Sequence, residues 1–377
     1  MAETRFVINR FREAGPFPIP ARDSVRRFHR GLPGYQPTPL FRLTGLARSI
    51  GLADVYLKYE GARFGLMAFK GLGGSWALHQ LLETRPGTVS TVSTASEGNH
   101  GRAVAWAARL MKVPCVIYLP ERAAPQRIEN IRAEGATVVL VPGSYEEAVR
   151  RCDSESRARG WQIISDVGYE GYLDIPHLVV EGYSTLFGEI DEQIAERGWP
   201  APDVVLIPGG VGGILHAGVD HYRAREAPPR IVGVEPAEGD CLTESLRSPG
   251  GEPTVSRGSG VTTMACLNCA EVSLPSWPPI RRGVDALLAI DDSVAEAAVR
   301  RLHQPASGDE PVEAGCSGAA TTGGLLAVMT DPRCGPLKEF LGLGSHSTAL
   351  VICTEGPIDR PDFERIVADR TPTGLPA

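Results

Sequence analysis

Lysine is nearly absent. Of 38 basic residues only Lys58, Lys70, Lys112 and Lys338 are lysines, so chemistry that needs a side-chain amine has few places to happen. Basic charge is not in excess either. The net charge of -7 argues against nucleic acid and anionic membrane as main partners. No apolar run approaches the ~20 residues that span a bilayer, and residues 1–30 lack a signal-peptide apolar segment. A cytoplasmic protein is expected. The 8 cysteines in 377 residues are too sparse for a disulfide scaffold. Cys266-Leu267-Asn268-Cys269 has CxxC spacing, but no second pair completes a zinc site and no metal is expected. A Cys241–Cys269 bridge stays open. Nucleotide fingerprints are missing too. No Gly-Lys-Ser or Gly-Lys-Thr occurs, and the glycines after Ile207 do not have the GxGxxG spacing.

What is present is ordinary globular composition, 42% hydrophobic and 22% charged, enough for about two domains. Apolar β-branched runs alternate with helix-periodic segments from about residue 88 to 166. Strands are expected at 88–94, 114–119, 137–141 and 161–165, with helices at 99–111, 124–134 and 145–159. A second series follows, with helices at 178–197, 214–223, 293–303 and 318–329 and strands at 204–207, 231–234 and 349–353. Residues 250–260 and 273–283 read as loops, and Pro275, Pro278 and Pro279 argue against a continuous helix there. The alternation implies an α/β protein of parallel or mixed sheets with helices on both faces and a cleft between domains. The boundaries expected are 1–86 with 187–377 for a large domain and 87–186 for a small Rossmann-like one.

Three segments carry the chemistry. Lys70 follows Met67, Ala68 and Phe69 and precedes the glycine-rich turn Gly71-Leu72-Gly73-Gly74. An apolar approach lowers a lysine pKa toward usefulness, although an exposed lysine at a helix start would look the same locally. Ser96-Glu97-Gly98-Asn99-His100-Gly101 follows a strand and opens a helix, whose free N–H groups with the Thr94 and Ser96 hydroxyls suit a carboxylate. Asn99 also reads as an ordinary helix cap. Gly209-Gly210-Val211-Gly212-Gly213 follows Val204-Val205-Leu206-Ile207 and reads as a phosphate nest. An amine for an imine, a carboxylate loop and a phosphate nest are together what pyridoxal phosphate chemistry on an amino acid needs.

The segment Arg63-Phe64-Gly65-Leu66-Met67-Ala68-Phe69-Lys70-Gly71-Leu72-Gly73-Gly74-Ser75 resembles the Schiff-base lysine segment of the fold type II pyridoxal phosphate enzymes. That group includes cysteine synthase, threonine deaminase and the tryptophan synthase β-chain. Within it the chain is most similar to the diaminopropionate ammonia-lyase family. Residues 94–101 leading into Val104-Ala105-Trp106-Ala107-Ala108 resemble the family's cofactor and carboxylate loop. Ser165-Asp166-Val167-Gly168-Tyr169-Glu170-Gly171-Tyr172, then Ile175-Pro176 and Glu181-Gly182-Tyr183, form a further match, and Pro37-Thr38-Pro39-Leu40 fits the N-terminal segment. The likeness covers roughly residues 30 to 356.

The resemblance implies that Lys70, beside Phe69, carries pyridoxal 5'-phosphate. It implies that Asn99 contacts the ring hydroxyl, that Gly209, Gly210, Val211, Gly212 and Gly213 wrap the phosphate, and that Cys353 or Thr354 meets the ring nitrogen. A neutral partner there suits β-elimination. The substrate would lie among Thr94, Ser96, Gly98, His100, Tyr169, Cys316 and Ser317. Lys70 or Glu97 would take the Cα proton according to enantiomer, and Asp166 would bind or protonate the leaving amine. Glu97 stands where the family shows an aspartate, and also reads as a surface acid favoured by a helix dipole. Cys316 stands where the family tends to show glutamate, and Gly356-Pro357-Ile358-Asp359 departs from its Gly-Asp pattern. The activity implied is α,β-elimination of an amino acid, 2,3-diaminopropionate to pyruvate and ammonia. β-Replacement, dehydration of a hydroxy amino acid and cofactor binding without turnover are the alternatives. A homodimer is the default assembly.

Overall fold

A computed structural model describes residues 4–15, 17, 23–96, 98–305 and 308–369. Eleven strands occur among the described residues. They are β1 (Arg5–Ile8), β2 (Leu40–Arg42), β3 (Asp54–Tyr59), β4 (Val92–Ala95), β5 (Cys115–Pro120), β6 (Thr137–Val141), β7 (Gln162–Ile163), β8 (Val204–Pro208), β9 (Arg230–Pro236), β10 (Ala286–Ile290) and β11 (Thr348–Cys353). The chain divides into two compact units.

The first unit holds Met1–Ala21, Gln36–Met67 and Leu186–Ala377. Its seven-stranded sheet runs β1-β10-β9-β8-β11-β3-β2. The inner strands are parallel, with Ala349, Leu350 and Val351 of β11 opposite Val204, Val205 and Leu206 of β8. The edges β1 and β2 pair antiparallel. Strands β8 (VVLIP) and β11 (TALVIC) are buried along their whole length, as expected of parallel strands covered on both faces. Helix Cys316–Thr330 is buried from Cys316 to Met329. Its small residues permit that depth: a Cβ on Gly324 would meet Val234 at 3.0 Å and Leu288 at 3.2 Å.

Five buried polar residues, Thr38, Lys58, Glu60, Arg63 and Glu189, with the half-buried Gln193, tie this unit together beside β3. Arg63 donates to Glu60 Oε1 at 2.8 Å and to Glu189 Oε1 at 2.7 Å. Lys58 Nζ reaches Glu189 Oε2 at 2.8 Å and the Thr38 carbonyl at 2.8 Å, and Gln193 donates to that carbonyl at 2.9 Å. Two cations and two carboxylates therefore balance each other away from water.

The second unit holds Arg22–Tyr35 and Ala68–Thr185, with a parallel sheet in the order β6-β5-β4-β7. Helices Asn99–Leu110, Pro125–Ala133 and Tyr145–Arg159 connect its strands. The last begins at a capping box, with the Ser144 hydroxyl accepting from the Glu147 N–H. Helix Lys70–Thr84 packs on Asn99–Leu110 and on Asp174–Gly182, and so groups here although the expected boundary falls after residue 86. Close approach explains its glycines: a Cβ on Gly73 would stand 2.6 Å from the Tyr183 ring.

Three local expectations need correction. Gly71, Gly73 and Gly74 are not a turn after Lys70 but the opening of helix Lys70–Thr84, where tight packing replaces the lost propensity. The 178–197 helix is two helices, Asp174–Gly182 and Ser184–Glu196, with a junction at Tyr183. The proline-rich 273–283 stretch contains helix Trp277–Gly283, with proline in its first turn, where no intrahelical N–H is needed. No disulfide joins the cysteines. No helix of the described residues is long and apolar enough to cross a membrane.

Candidate active site

In the second unit the chemistry gathers around Lys70. As the first residue of its helix, Lys70 sends Nζ to Asp166 Oδ2 at 2.6 Å. The Phe69 ring lies 5.1 Å and the Tyr183 ring 5.9 Å from the same nitrogen. The two charged side chains keep 18% and 16% of their exposure, so the pair is recessed but open. Burial alone would raise the Asp166 carboxyl, but the positive charge around it, that of Lys70 at 2.6 Å included, holds it well below the usual range.

Asp166 is positioned by the end of β7. The Ile164 N–H donates to the Ser93 carbonyl at 2.9 Å, and Tyr172 Oη braces the next residues, donating to the Ile163 carbonyl and accepting from the Ser165 N–H, both at 3.0 Å. Tyr169, expected near substrate, is 42% exposed and stacks on Tyr172 at 5.2 Å. Bracing falls to Tyr172, a residue in the quoted motif that sequence reading passed over.

Helix Asn99–Leu110 brings His100 to the same place. Its Nε2 lies 2.9 Å from the Ile164 carbonyl oxygen and its Nδ1 3.8 Å from Asp166 Oδ2. Gly98 is the extended cap residue, and its N–H donates to Ser96 Oγ at 3.4 Å. A Cβ on Gly101 would fall 2.3 Å from the Ser96 carbonyl oxygen, so this loop closes only on glycine. Thr94 is buried at the end of β4. Glu97 lies outside the described residues.

In the first unit the 209–213 turn follows β8 and opens helix Gly213–Arg223. The Gly209 N–H donates to the Val234 carbonyl at 2.6 Å, and the Val211 carbonyl accepts from the Ser273 N–H at 2.9 Å. Gly210 and Gly212 have φ of 56° and 100°, and a Cβ on Gly212 would meet Ile280 at 2.7 Å. Both the backbone conformation and the space demand glycine. Beneath the turn lies Glu235, missed by sequence reading. It is fully buried and raised to about 8, with burial the main cause.

Close by in the fold of the same unit, β11 ends at Cys353. Its Sγ donates to the Glu355 carbonyl at 3.5 Å, and burial pushes the thiol far up. Thr354 is also buried. A Cβ on Gly318 would meet the Glu355 carbonyl oxygen at 2.2 Å and Cys353 Sγ at 3.2 Å, so the start of helix Cys316–Thr330 abuts this strand end. Cys316 is its first residue, with a thiol pushed up to about 12 by burial. Ser317 Oγ accepts from the Cys266 N–H at 3.1 Å.

These parts fit pyridoxal phosphate. A lysine amine is paired with a carboxylate, a glycine turn presents N–H groups at a helix start, and a buried neutral thiol and hydroxyl close a strand.

Comparison with known proteins agrees. The family model "Pyridoxal-phosphate dependent enzyme" matches residues 32–336. Diaminopropionate ammonia-lyase of Salmonella typhimurium is 34% identical over 91% of both chains. The Escherichia coli protein of the same name is 35% identical over 91% of this chain and 90% of its own. A crystal structure of the Escherichia coli enzyme in complex with an aminoacrylate-PLP azomethine reaction intermediate superposes with a TM-score of 0.90 at 32% identity. It covers 100% of this chain and 99% of that one.

Proposed function

The chain belongs to the pyridoxal-phosphate dependent enzymes, in the diaminopropionate ammonia-lyase family, and from that premise we propose that it converts 2,3-diaminopropionate to pyruvate and ammonia. The observation that carries the reading is the Lys70–Asp166 pair at 2.6 Å at the head of a buried helix. It pairs an amine with a carboxylate and, unlike the fully buried Lys58–Glu189 pair, stays partly open.

Pyridoxal phosphate, when bound, supplies an electron sink for the pair left at Cα. Everything else falls to side chains. Lys70 would carry the cofactor, Asn99 would face its ring hydroxyl, the 209–213 turn would hold its phosphate, and Cys353 or Thr354 would meet the ring nitrogen. A thiol held in the neutral form by burial cannot act as an anionic partner to that nitrogen, which fits elimination better than chemistry needing a long-lived carbanion. Thr94, Ser96 and the N–H groups at the start of helix Asn99–Leu110 orient the substrate carboxylate. Lys70 or Glu97 accepts the Cα proton, and Asp166, kept ionised by its neighbours, holds the β-amino group as it leaves. A cytoplasmic homodimer is the assembly and location proposed.

β-Replacement is the second reading. Cys316, uncharged at the head of its helix, stands where the family resemblance leads one to expect glutamate, and the lost charge favours a different leaving group. Assaying ammonia and pyruvate from D- and L-2,3-diaminopropionate, with and without added thiol, separates the two. Pyruvate unaffected by thiol supports the lyase, and a thioether product supports replacement.

A further inference from the structure

The imidazole beside the Lys70–Asp166 pair uses only half of its hydrogen-bonding capacity. His100 is 4% exposed. Its Nε2 lies 2.9 Å from the Ile164 carbonyl oxygen. A carbonyl only accepts, so Nε2 carries the proton and Nδ1 presents a lone pair. That Nδ1 is buried and has no hydrogen-bond partner among the described residues. It stands 3.8 Å from Asp166 Oδ2, the oxygen that accepts from Lys70 Nζ at 2.6 Å. Burial holds the imidazole below its ordinary pKa, with the Asp166 charge countering in part, so the ring is neutral at physiological pH.

Two acceptors, Asp166 Oδ2 and His100 Nδ1, therefore stand 3.8 Å apart. An ammonium, with three N–H groups and a positive charge, satisfies both, whereas a hydroxyl has one proton and no charge. In this structure the Lys70 ammonium reaches only one of them, Asp166 Oδ2. A Lys70 nitrogen that held the cofactor, or that the substrate amine had displaced as a neutral amine, would not be an ammonium, and both acceptors would be open to the ammonium of the substrate. Resting on the lyase reading, we propose that Asp166 Oδ2 and His100 Nδ1 together bind the β-ammonium of the substrate, so that His100 selects β-amino over β-hydroxy amino acids.

The chemistry balances without a delivered proton. As the Cβ–N bond breaks, its electron pair stays on nitrogen, and ammonia leaves neutral with its own three hydrogens. The electrons of the Cα–H bond become the Cα–Cβ double bond, and the Cα proton remains on the accepting base.

The test uses the holoenzyme and two variants. His100→Phe keeps the bulk and removes both nitrogens. His100→Asn keeps an acceptor near the Nδ1 position and gives up the bond from Nε2 to the Ile164 carbonyl. Elimination is measured on 2,3-diaminopropionate and on β-chloroalanine, whose leaving group has no N–H. For His100→Phe, kcat/KM on diaminopropionate should fall about 10–100-fold, the worth of one hydrogen bond to a charged group. β-Chloroalanine should change by less than about threefold, and His100→Asn should recover most of the loss. Nitrogen-15 spectra of the cofactor-free protein give a readout apart from turnover. The resonances that His100→Asn removes should show a bare Nδ1 and a protonated Nε2 throughout about pH 6–8. Equal losses on both substrates, or a protonated Nδ1, would overturn the proposal and leave the lyase reading standing. A wild type that eliminates chloride but not ammonia would remove the lyase reading, and this proposal with it.

Discussion

Glu235 gives a prediction whose size follows from its surroundings. Its carboxyl is fully buried on β9 and accepts from the backbone N–H groups of Leu242 at 3.2 Å and Thr243 at 2.8 Å. Burial outweighs those bonds, the Asp240 charge adds to it, and the carboxyl rises from 4.5 to about 8. It is neutral at physiological pH, so the 209–213 turn above it does not sit on an anion. Between those two values the native state binds more protons than the unfolded state. Stability therefore falls as pH rises through the window and is lowest above it. At 1.36 kcal/mol per pH unit, the whole window is worth about 5 kcal/mol. Glu235→Gln removes the titration. The stability of the variant relative to wild type should thus grow by about 3 kcal/mol between about pH 6 and pH 9, read from urea midpoints at each pH. Wild type should also release cofactor more readily above about pH 8, and the variant should not. Parallel stability curves for the two proteins would refute the reasoning, because they would mean that Glu235 keeps one charge state throughout.

Other perturbations have definite outcomes. Glu189→Gln leaves the buried cations Lys58 and Arg63 with Glu60 alone and should cost about 3–5 kcal/mol in urea unfolding; a loss under about 1 kcal/mol would contradict the pairing. Burial alone would raise the Glu189 carboxyl, but Arg63 and Lys58 hold it low. Its contribution should therefore be complete above the usual carboxylate range and disappear as pH falls below it. Gly212→Ala forces a side chain onto a φ of 100° and to within 2.7 Å of Ile280. Cofactor affinity, measured by dialysis and absorbance, should weaken about tenfold or more, and unchanged affinity would remove the turn from the cofactor site. Asp166→Asn keeps the shape and removes the charge facing Lys70. Elimination of ammonia should slow by about 100-fold or more with cofactor retained, and near-normal turnover would exclude Asp166 from the reaction.

The 88–166 alternation was legible because each strand is short, apolar and bounded by Gly or Pro, and 137–141 and 145–159 coincide with β6 and its following helix. Helix Lys70–Thr84 was hidden for the opposite reason. Three glycines in its first five residues oppose helix by propensity, and contact with Tyr183 and Val179 demands glycine at Gly73. The edge strands β1 and β2 hold 4 and 3 residues, too short for a period to register. Trp277–Gly283 reads as a breaker until its prolines are placed in the first turn. At the site, Lys70 and Asp166 were picked from separate motifs, and the structure brings them into contact. His100 was expected among the substrate residues by resemblance, but its tautomer was not legible, because it depends on a carbonyl, that of Ile164, sixty-four positions away. Glu235 left no trace, since a lone acid after an apolar strand reads as a surface residue.

The account stands or falls on Lys70 as the residue that carries the cofactor. Purified protein reconstituted with pyridoxal phosphate, wild type and Lys70→Ala, should be scanned before and after adding D- and L-2,3-diaminopropionate. An absorbance band near about 410–430 nm that requires Lys70, and that bleaches as pyruvate and ammonia appear, is the predicted result. An identical band in Lys70→Ala, or none in reconstituted wild type, would contradict it.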